Sequence, residues 1–153
     1  MLDTPVILET TPLLTACVHV TVARDQIQHV MGPAISEVYA AVMAQERTPT
    51  GPWFTHHHRI EPTLFEFDAC VPVDQPITPV GRVFASEWPA TRVVRVIYSG
   101  PYEGLGEAWP KFKTWLEAEG HKGRGDLYER YLVGPESTQD SAEYRTELIQ
   151  PLL

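Results

Sequence analysis

The chain has 153 residues, which is close to the usual size of one domain and long enough to bury a core without disulfides or metals. Hydrophobic residues make up 43% of it and charged residues 21%, a composition typical of globular proteins and unlike that of disordered chains. With 12 basic and 20 acidic residues the net charge is −8. Such a surface repels phosphate backbones, so a nucleic-acid partner is not expected.

Neither membrane insertion nor secretion is indicated. No apolar run approaches the roughly 20 residues that a membrane-spanning helix needs, and the first ten residues lack the pattern of a signal peptide. Cys17 and Cys70 lie in apolar stretches without CxxC spacing, which favours buried free thiols in a reducing compartment. We therefore expect a cytoplasmic protein.

The first half of the chain predicts a strand, a helix and two further strands. Apolar and polar residues alternate over Leu13–Val22, which is typical of a strand. Apolar residues then recur at helical spacing over Gln26–Gln45, and Pro33 within this stretch indicates that the main helix starts there. The two following strands are predicted at Trp53–Ile60 and Thr63–Val73.

The second half repeats this order of elements after one further strand. Strands are predicted at Gly81–Trp88 and Thr91–Ser99, a helix at Tyr102–Gly120 with its continuous part from about Trp109, and strands at Leu127–Val133 and Ala142–Ile149. The glycine-rich run between Ser99 and the second helix lacks the lysine and the spacing of a phosphate-binding loop, so it indicates a tight turn.

The doubled order predicts an α+β fold made of tandem βαββ repeats with pseudo-twofold symmetry. We expect antiparallel sheets, two main helices and a central groove in one domain, 1–153, with repeat one at about 12–75 and repeat two at about 80–152. A groove between repeats is a common place for a small molecule. An exposed sheet edge could pair with a second copy of the chain, so the sequence is compatible with a monomer and with a homodimer.

One carboxylate stands out in the strand over Leu127–Val133. With a period of two, Glu129 shares a face with Leu127, Tyr131 and Val133, so it either lines a cavity or pairs with a cation on a partly solvated face. In a cavity, burial would make this carboxylate seek a cation or a hydrogen-bond donor.

Aromatic residues form the second unusual feature. Trp109 fits the core stripe of the second helix, whereas Trp53 and Trp88 stand at strand starts and turns, where an indole often lines the mouth of a cleft. Strand alternation adds Tyr98 and Tyr131 to the candidates for a ligand-binding surface. A carboxylate surrounded by Trp and Tyr suits a lipophilic cation, through charge neutralisation and cation–π contact.

The triplet His56-His57-His58 raises the question of a metal site. Alternate strand residues point in opposite directions, so the triplet alone cannot supply three ligands, and no further ligand stands at helical or hairpin spacing. We therefore expect no metal, and we assign His57, which shares a face with Trp53, to the ligand-binding surface. No nucleophile motif or nucleotide-binding motif is present, so no organic cofactor is expected.

Several segments of the second half occur in a specific order. They are Ile97-Tyr-Ser-Gly-Pro-Tyr102, the helix with Trp109, Phe112 and Trp115, Tyr128-Glu-Arg-Tyr-Leu132 and Arg145-Thr-Glu-Leu-Ile-Gln-Pro-Leu152. In this combination, over about Val80–Leu152, the chain resembles a GyrI-like small-molecule-binding domain. The first half is similar in element order and in the strand start Gly51-Pro-Trp-Phe54.

The resemblance implies a cytoplasmic bacterial domain of two βαββ units that binds lipophilic, cationic or aromatic compounds in the seam between them. The pocket carboxylate of that family falls on Glu129. Such domains often form the effector-binding part of AraC- or MerR-type regulators, but no helix-turn-helix precedes Leu13 here. The expectation is therefore a stand-alone domain that senses or sequesters its ligand.

Two alternatives stay open. Some free-standing relatives resemble cofactor-independent hydrolases of strained or electrophilic aromatic compounds; in that case Glu129 would act as general base and Tyr131 as hydrogen-bond donor. Other relatives resemble enzyme-inhibiting modules that contact a protein partner, which the acidic surface would suit.

Overall fold

The computed structural model describes the backbone of residues 1–153 and the side chains of residues 1–59 and 61–153. Within this part of the chain the strands pair antiparallel and two main helices are present, which confirms the α+β fold class. The strands are β1 (Val6–Glu9), β2 (Leu13–Ala23), β3 (Phe54–Ile60), β4 (Leu64–Pro72), β5 (Val83–Trp88), β6 (Arg92–Ser99), β7 (Leu127–Val133) and β8 (Arg145–Pro151), and the helices are α1 (Ile27–Ala44) and α2 (Leu105–Ala118).

The chain divides into two compact units. Residues 11–90 form the continuous unit, and residues 1–10 together with 91–153 form the split unit. The continuous unit has strand order β3-β4-β2-β5 and contains α1, whereas the split unit has strand order β1-β6-β8-β7 and contains α2. Each unit thus holds a strand–helix–strand–strand series with one additional strand beside its first strand.

The core of the continuous unit lies between α1 and one face of its sheet. The helix buries Ala34, Val38, Ala41 and Val42, spaced by three and four residues as an amphipathic helix requires. They meet the side chains that alternate along β2, β4 and β5, namely Ala16, Val18, Val20, Phe67, Ala69, Val71 and Val83. The sequence pattern of these strands thus sets which face the helix covers.

Both helices contain a proline and still begin earlier than the sequence predicts. Helix α1 starts at Ile27 and continues through the exposed Pro33, and α2 starts at Leu105 and continues through the exposed Pro110. A proline removes one helical hydrogen bond and loosens the turn before it. Here that turn is held because Ile27 and Leu105 each pack against the core of their unit.

The additional strands depart from the sequence analysis. Strand β1 is not predicted, because four mostly exposed residues carry no alternation, yet it pairs with β6 from Val6 opposite Arg95 to Glu9 opposite Arg92. Strand β5 falls in the stretch assigned to repeat two, but it pairs with β2 of the first half, with Val83 opposite Val18. Pairing partners at such a distance leave no local signal in a sequence.

The two cysteines face each other across β2 and β4. Cys17 and Cys70 form a directly opposed pair, both are buried and free, and their Sγ atoms lie 2.8 Å apart. Burial, followed by the hydrogen bond with Cys17, raises the pKa of Cys70 well above its usual value, which keeps the thiol protonated. None of the helices in the described part of the chain combines the length and the apolar character of a membrane-spanning segment.

A candidate ligand site around Glu129

Glu129 lies in the middle of β7, on the face of the split unit that α2 covers. It pairs with Leu148 of β8, and both belong to the side of the sheet that meets α2, where Leu127 is also buried. The residue is only 9% exposed. A carboxylate at this depth loses most of its hydration and needs hydrogen-bond donors from the protein.

Two aromatic side chains supply these donors. The indole Nε1–H of Trp109, on α2, donates to Oε2 of Glu129 at 2.6 Å, and the hydroxyl of Tyr131 donates to Oε1 at 2.7 Å. Both distances are in the short range typical of bonds to a charged acceptor. Because one donor comes from the helix and the other from the same strand, packing of α2 on the sheet fixes the carboxylate in one orientation.

The split unit treats its two buried strand carboxylates differently. Glu147, on the other face of the sheet, lies 3.3 Å from Nε of Arg95 and 3.3 Å from Nε of Arg130. Among the side chains that the structure describes, no Lys, Arg or His forms an ion pair with Glu129. Lys113 places its ammonium over the ring of Trp109, 5.9 Å from the ring centre, and its hydrogen bond goes to Gln150. The negative charge of Glu129 is therefore solvated by neutral donors alone.

Further aromatic rings extend this environment. The ring of Tyr102 meets that of Tyr131 edge-on, with centres 5.9 Å apart, and lies 5.0 Å from that of Tyr144. Burial is the main reason why the pKa of Tyr102 is raised to about 12. Electrostatic interactions with Glu136, Tyr144 and Glu129 add to the shift, in that order of size. Tyr102 is thus a neutral phenol within the electrostatic reach of the buried carboxylate.

This shift predicts a late phenol titration in the folded protein. An ordinary tyrosine ionises near pH 10, so the unfolded chain loses this proton about two pH units before the folded chain does. The stabilisation that comes from Tyr102 is therefore complete below pH 10 and is lost as the pH rises towards 12. The ultraviolet difference titration of wild type against Tyr102→Phe should show one phenol ionising near pH 12. If the phenol that the Tyr102→Phe variant lacks instead titrates near pH 10, the burial of Tyr102 is contradicted.

The remaining predicted site residues lie in different surroundings. Tyr98 packs in the core of the split unit, and its hydroxyl donates to the carbonyl oxygen of Pro101 at 2.8 Å. In the continuous unit, His57 is buried beside Phe67 at a ring-centre distance of 5.1 Å, and Trp53 packs against the α1 core.

Trp88 lies elsewhere in the same unit. It packs on Phe54, with ring centres 4.8 Å apart, and it does not belong to the cluster that contains Trp53. Of the six predicted ligand-binding residues, the structure therefore brings Glu129 and Tyr131 into direct contact with each other.

Two residues of the site are absent from the predicted set. Trp109 is predicted to pack in the core, which is correct for its ring, but a buried indole N–H also needs an acceptor. That requirement was the signal that could have paired Trp109 with the one carboxylate on an apolar strand face. Tyr102, at the turn before α2, had no comparable signal, because its position depends on how the turn packs against β7 and Tyr144.

One protein family matches almost the whole chain. The model of the GyrI-like small molecule binding domain matches residues 5–153. No curated protein shows a significant sequence match.

Two solved structures of EcmrR are similar in fold to this chain. The crystal structure of the EcmrR C-terminal domain is 24% identical, has a TM-score of 0.87, and covers 98% of this chain and 97% of its own. EcmrR in complex with DNA is also 24% identical with a TM-score of 0.86, and the chain here covers 57% of its length while matching over 97% of its own.

Two more distant structures are also similar in fold. SAV2435 bound to tetraphenylphosphonium is 12% identical, has a TM-score of 0.69, and covers 99% of this chain and 94% of its own. A hydrolase from Listeria innocua is 14% identical, has a TM-score of 0.68, and covers 97% of this chain and 91% of its own.

Proposed function

The chain belongs to the family of GyrI-like small molecule binding domains, and we propose that it binds lipophilic organic cations, with Glu129 as the counter-charge. The observation that carries this proposal is a buried carboxylate that two neutral donors hold and that no described cation neutralises. Burying an unpaired charge costs free energy, and a ligand that brings the opposite charge recovers part of that cost.

The neighbours of Glu129 favour a lipophilic cation over a hydrated one. Trp109 and Tyr131 contact the carboxylate, and Tyr102 meets Tyr131 edge-on, so three aromatic rings lie at or near it. Aromatic rings attract cations through their quadrupoles and bury apolar groups at the same time. The contact of Lys113 with the ring of Trp109 supports this, since a cation already lies over one face of that indole. The related SAV2435 was solved with tetraphenylphosphonium, a cation of this kind.

A pair of ligands of matched shape and opposite charge tests the proposal. Tetraphenylphosphonium and tetraphenylborate have nearly the same size and apolar surface, so their difference in affinity reports the charge preference of the site. We expect tetraphenylphosphonium to bind at least 100-fold more tightly, because a like charge beside a buried carboxylate costs several kcal/mol. Isothermal titration calorimetry measures both dissociation constants.

Equal affinities for the two ions would overturn the proposal, and so would saturable binding of the anion alone. The net charge of −8 also favours the cation at long range, so the titrations are repeated at about 1 M salt, where charges are screened beyond about 3 Å. A preference that persists at high salt points to a charge at the site and not to the surface as a whole.

A hydrolytic activity is the second candidate, and one observation favours it. Each oxygen of Glu129 accepts one hydrogen bond, so each retains a lone pair with which the carboxylate could bind a water molecule. A solved relative from Listeria innocua is described as a hydrolase. Ligands that bind are therefore analysed by mass spectrometry after incubation; addition of water that depends on Glu129 would favour the hydrolase, and unchanged ligand would favour the binding protein.

A further inference from the structure

A second cluster of chemically active side chains belongs to the continuous unit, whereas the residues around Glu129 belong to the split unit. His19 on β2, His58 on β3 and Asp68 on β4 place one ligand atom each within 4.8 Å of the other two. Asp68 is central because β4 lies between β2 and β3 in the sheet, and His19 stands directly opposite it on β2.

The geometry already aims both imidazoles at one carboxylate. Nδ1 of His19 lies 2.7 Å from Oδ1 of Asp68, and Nε2 of His58 lies 2.9 Å from Oδ2. The side chain of Asp68 is 12% exposed, while those of His19 and His58 are 47% and 35% exposed. The carboxylate is thus largely buried in the sheet, and the two imidazoles retain access to solvent.

A β-bulge directs His58 into the cluster. The register of β3 against β4 shifts between His57 and Arg59, so His58 is the additional residue on its strand. His56, two residues earlier, stands directly opposite Asp68, and its ring centre lies 4.3 Å from that of His58. Bulges of this kind change the direction of a side chain and occur often beside functional sites. Asp68 and His19 thus converge with His58, although the sequence predicts no further ligand for the histidine triplet.

We propose that His19, His58 and Asp68 form a binding site for a divalent transition-metal ion of the Zn²⁺ type. Two imidazole nitrogens and one carboxylate oxygen are a common three-ligand set for Zn²⁺, with a fourth position open to water or to a further side chain. In a tetrahedral zinc site, bonds of about 2.1 Å place ligand atoms roughly 3.4 Å apart. The observed distances of 2.7 and 2.9 Å to Asp68, with all three ligand atoms within 4.8 Å of one another, are close to that spacing.

Titration of the tag-free protein with ZnCl₂ by isothermal titration calorimetry tests the site. We expect one ion per chain and an increase in Tm with zinc, because an ion that binds only the folded state stabilises it. His19→Ala and His58→Ala should each weaken binding at least tenfold, since even loss of a partner outside the ligand shell costs about 10–100-fold. Both residues are partly exposed, so both variants should fold, which circular dichroism checks.

His121→Ala is the matched control, because its ring stacks on Trp115 in the split unit, 5.8 Å away, and takes no part in the cluster. It should bind zinc as wild type does. Asp68→Asn provides a third variant that keeps the size of the carboxylate and should also lose affinity. An absence of saturable heat with wild type, or equal affinities in wild type, His19→Ala and His58→Ala, would overturn the proposal.

Discussion

Replacing Glu129 by glutamine should weaken the binding of tetraphenylphosphonium by roughly 30-fold or more and remove the preference over tetraphenylborate. Removal of one partner of a buried charge pair costs about 2 kcal/mol or more, which corresponds to this factor. Calorimetric titration of both ions with wild type and variant gives the four dissociation constants that the comparison needs.

The substitution should leave the fold almost unchanged. A glutamine amide can present its oxygen to the indole N–H of Trp109 and its NH₂ group to the hydroxyl of Tyr131, which can accept as well as donate. Both hydrogen bonds are therefore retained in an uncharged form, and Tm should fall by no more than a few degrees. The change in affinity then reports the charge and not a loss of structure.

Glu117→Gln serves as the control for net charge. Glu117 is exposed on α2, so its replacement changes the charge of the protein by the same single unit without altering the contacts of Glu129. It should bind both ions as wild type does. If Glu117→Gln and Glu129→Gln lower the affinity equally, the effect belongs to long-range electrostatics and Glu129 is not the counter-charge.

A second large effect is expected at the turn before α2, where Gly104→Ala should destabilise the protein by roughly 2–3 kcal/mol. The backbone of Gly104 is helical, so alanine meets no backbone strain there. Its Cβ would instead overlap the hydroxyl of Tyr98 and lie 2.9 Å from the ring carbon that bears it. Tyr98 cannot give way easily, because its ring is 6% exposed and its hydroxyl is bonded to Pro101.

Gly106→Ala is the matched control two residues further along. No atom lies within 4 Å of the Cβ that this substitution would add, so it should stabilise α2 by up to about 1 kcal/mol through helix propensity. The two glycine replacements should therefore shift the denaturation midpoint in opposite directions. Combining Gly104→Ala with Tyr98→Phe should recover part of the loss, and a double variant as unstable as the sum of the two changes would contradict a clash with the hydroxyl.

The alternation of apolar residues made most of the fold predictable. In β2 and β4 the apolar positions that the pattern selects are those that meet α1, and β7 has the predicted bounds Leu127–Val133. Both helices were predicted in the right place, but their predicted starts were too late. The local cost of a proline can be judged from the sequence, whereas the tertiary packing of Ile27 and Leu105 that offsets this cost cannot. Strand β1 was not predicted, because its pairing with β6 leaves no hydrophobic pattern in four mostly exposed residues.

One candidate site could be predicted in part from the sequence, and the other could not. Glu129 was identified because a carboxylate on an apolar strand face is unusual in itself, without knowledge of its neighbours. The cluster around Asp68 could not be identified in that way. His19 and Asp68 are separated by 49 positions, and the bulge that directs His58 towards them depends on the register of β3 against β4.

The division of the chain has a consequence for its synthesis. The continuous unit contains all of its own strands within residues 11–90, so its sheet can close as soon as residue 90 has left the ribosome. Strand β1 is synthesised before that unit, and its partner β6 is synthesised after it. Strand β1 therefore has no pairing partner while the 80 residues of the continuous unit are translated and fold. The split unit is therefore completed only after β6, β7 and β8 have been made, and pairing β1 with β6 closes a long loop at a cost in chain entropy.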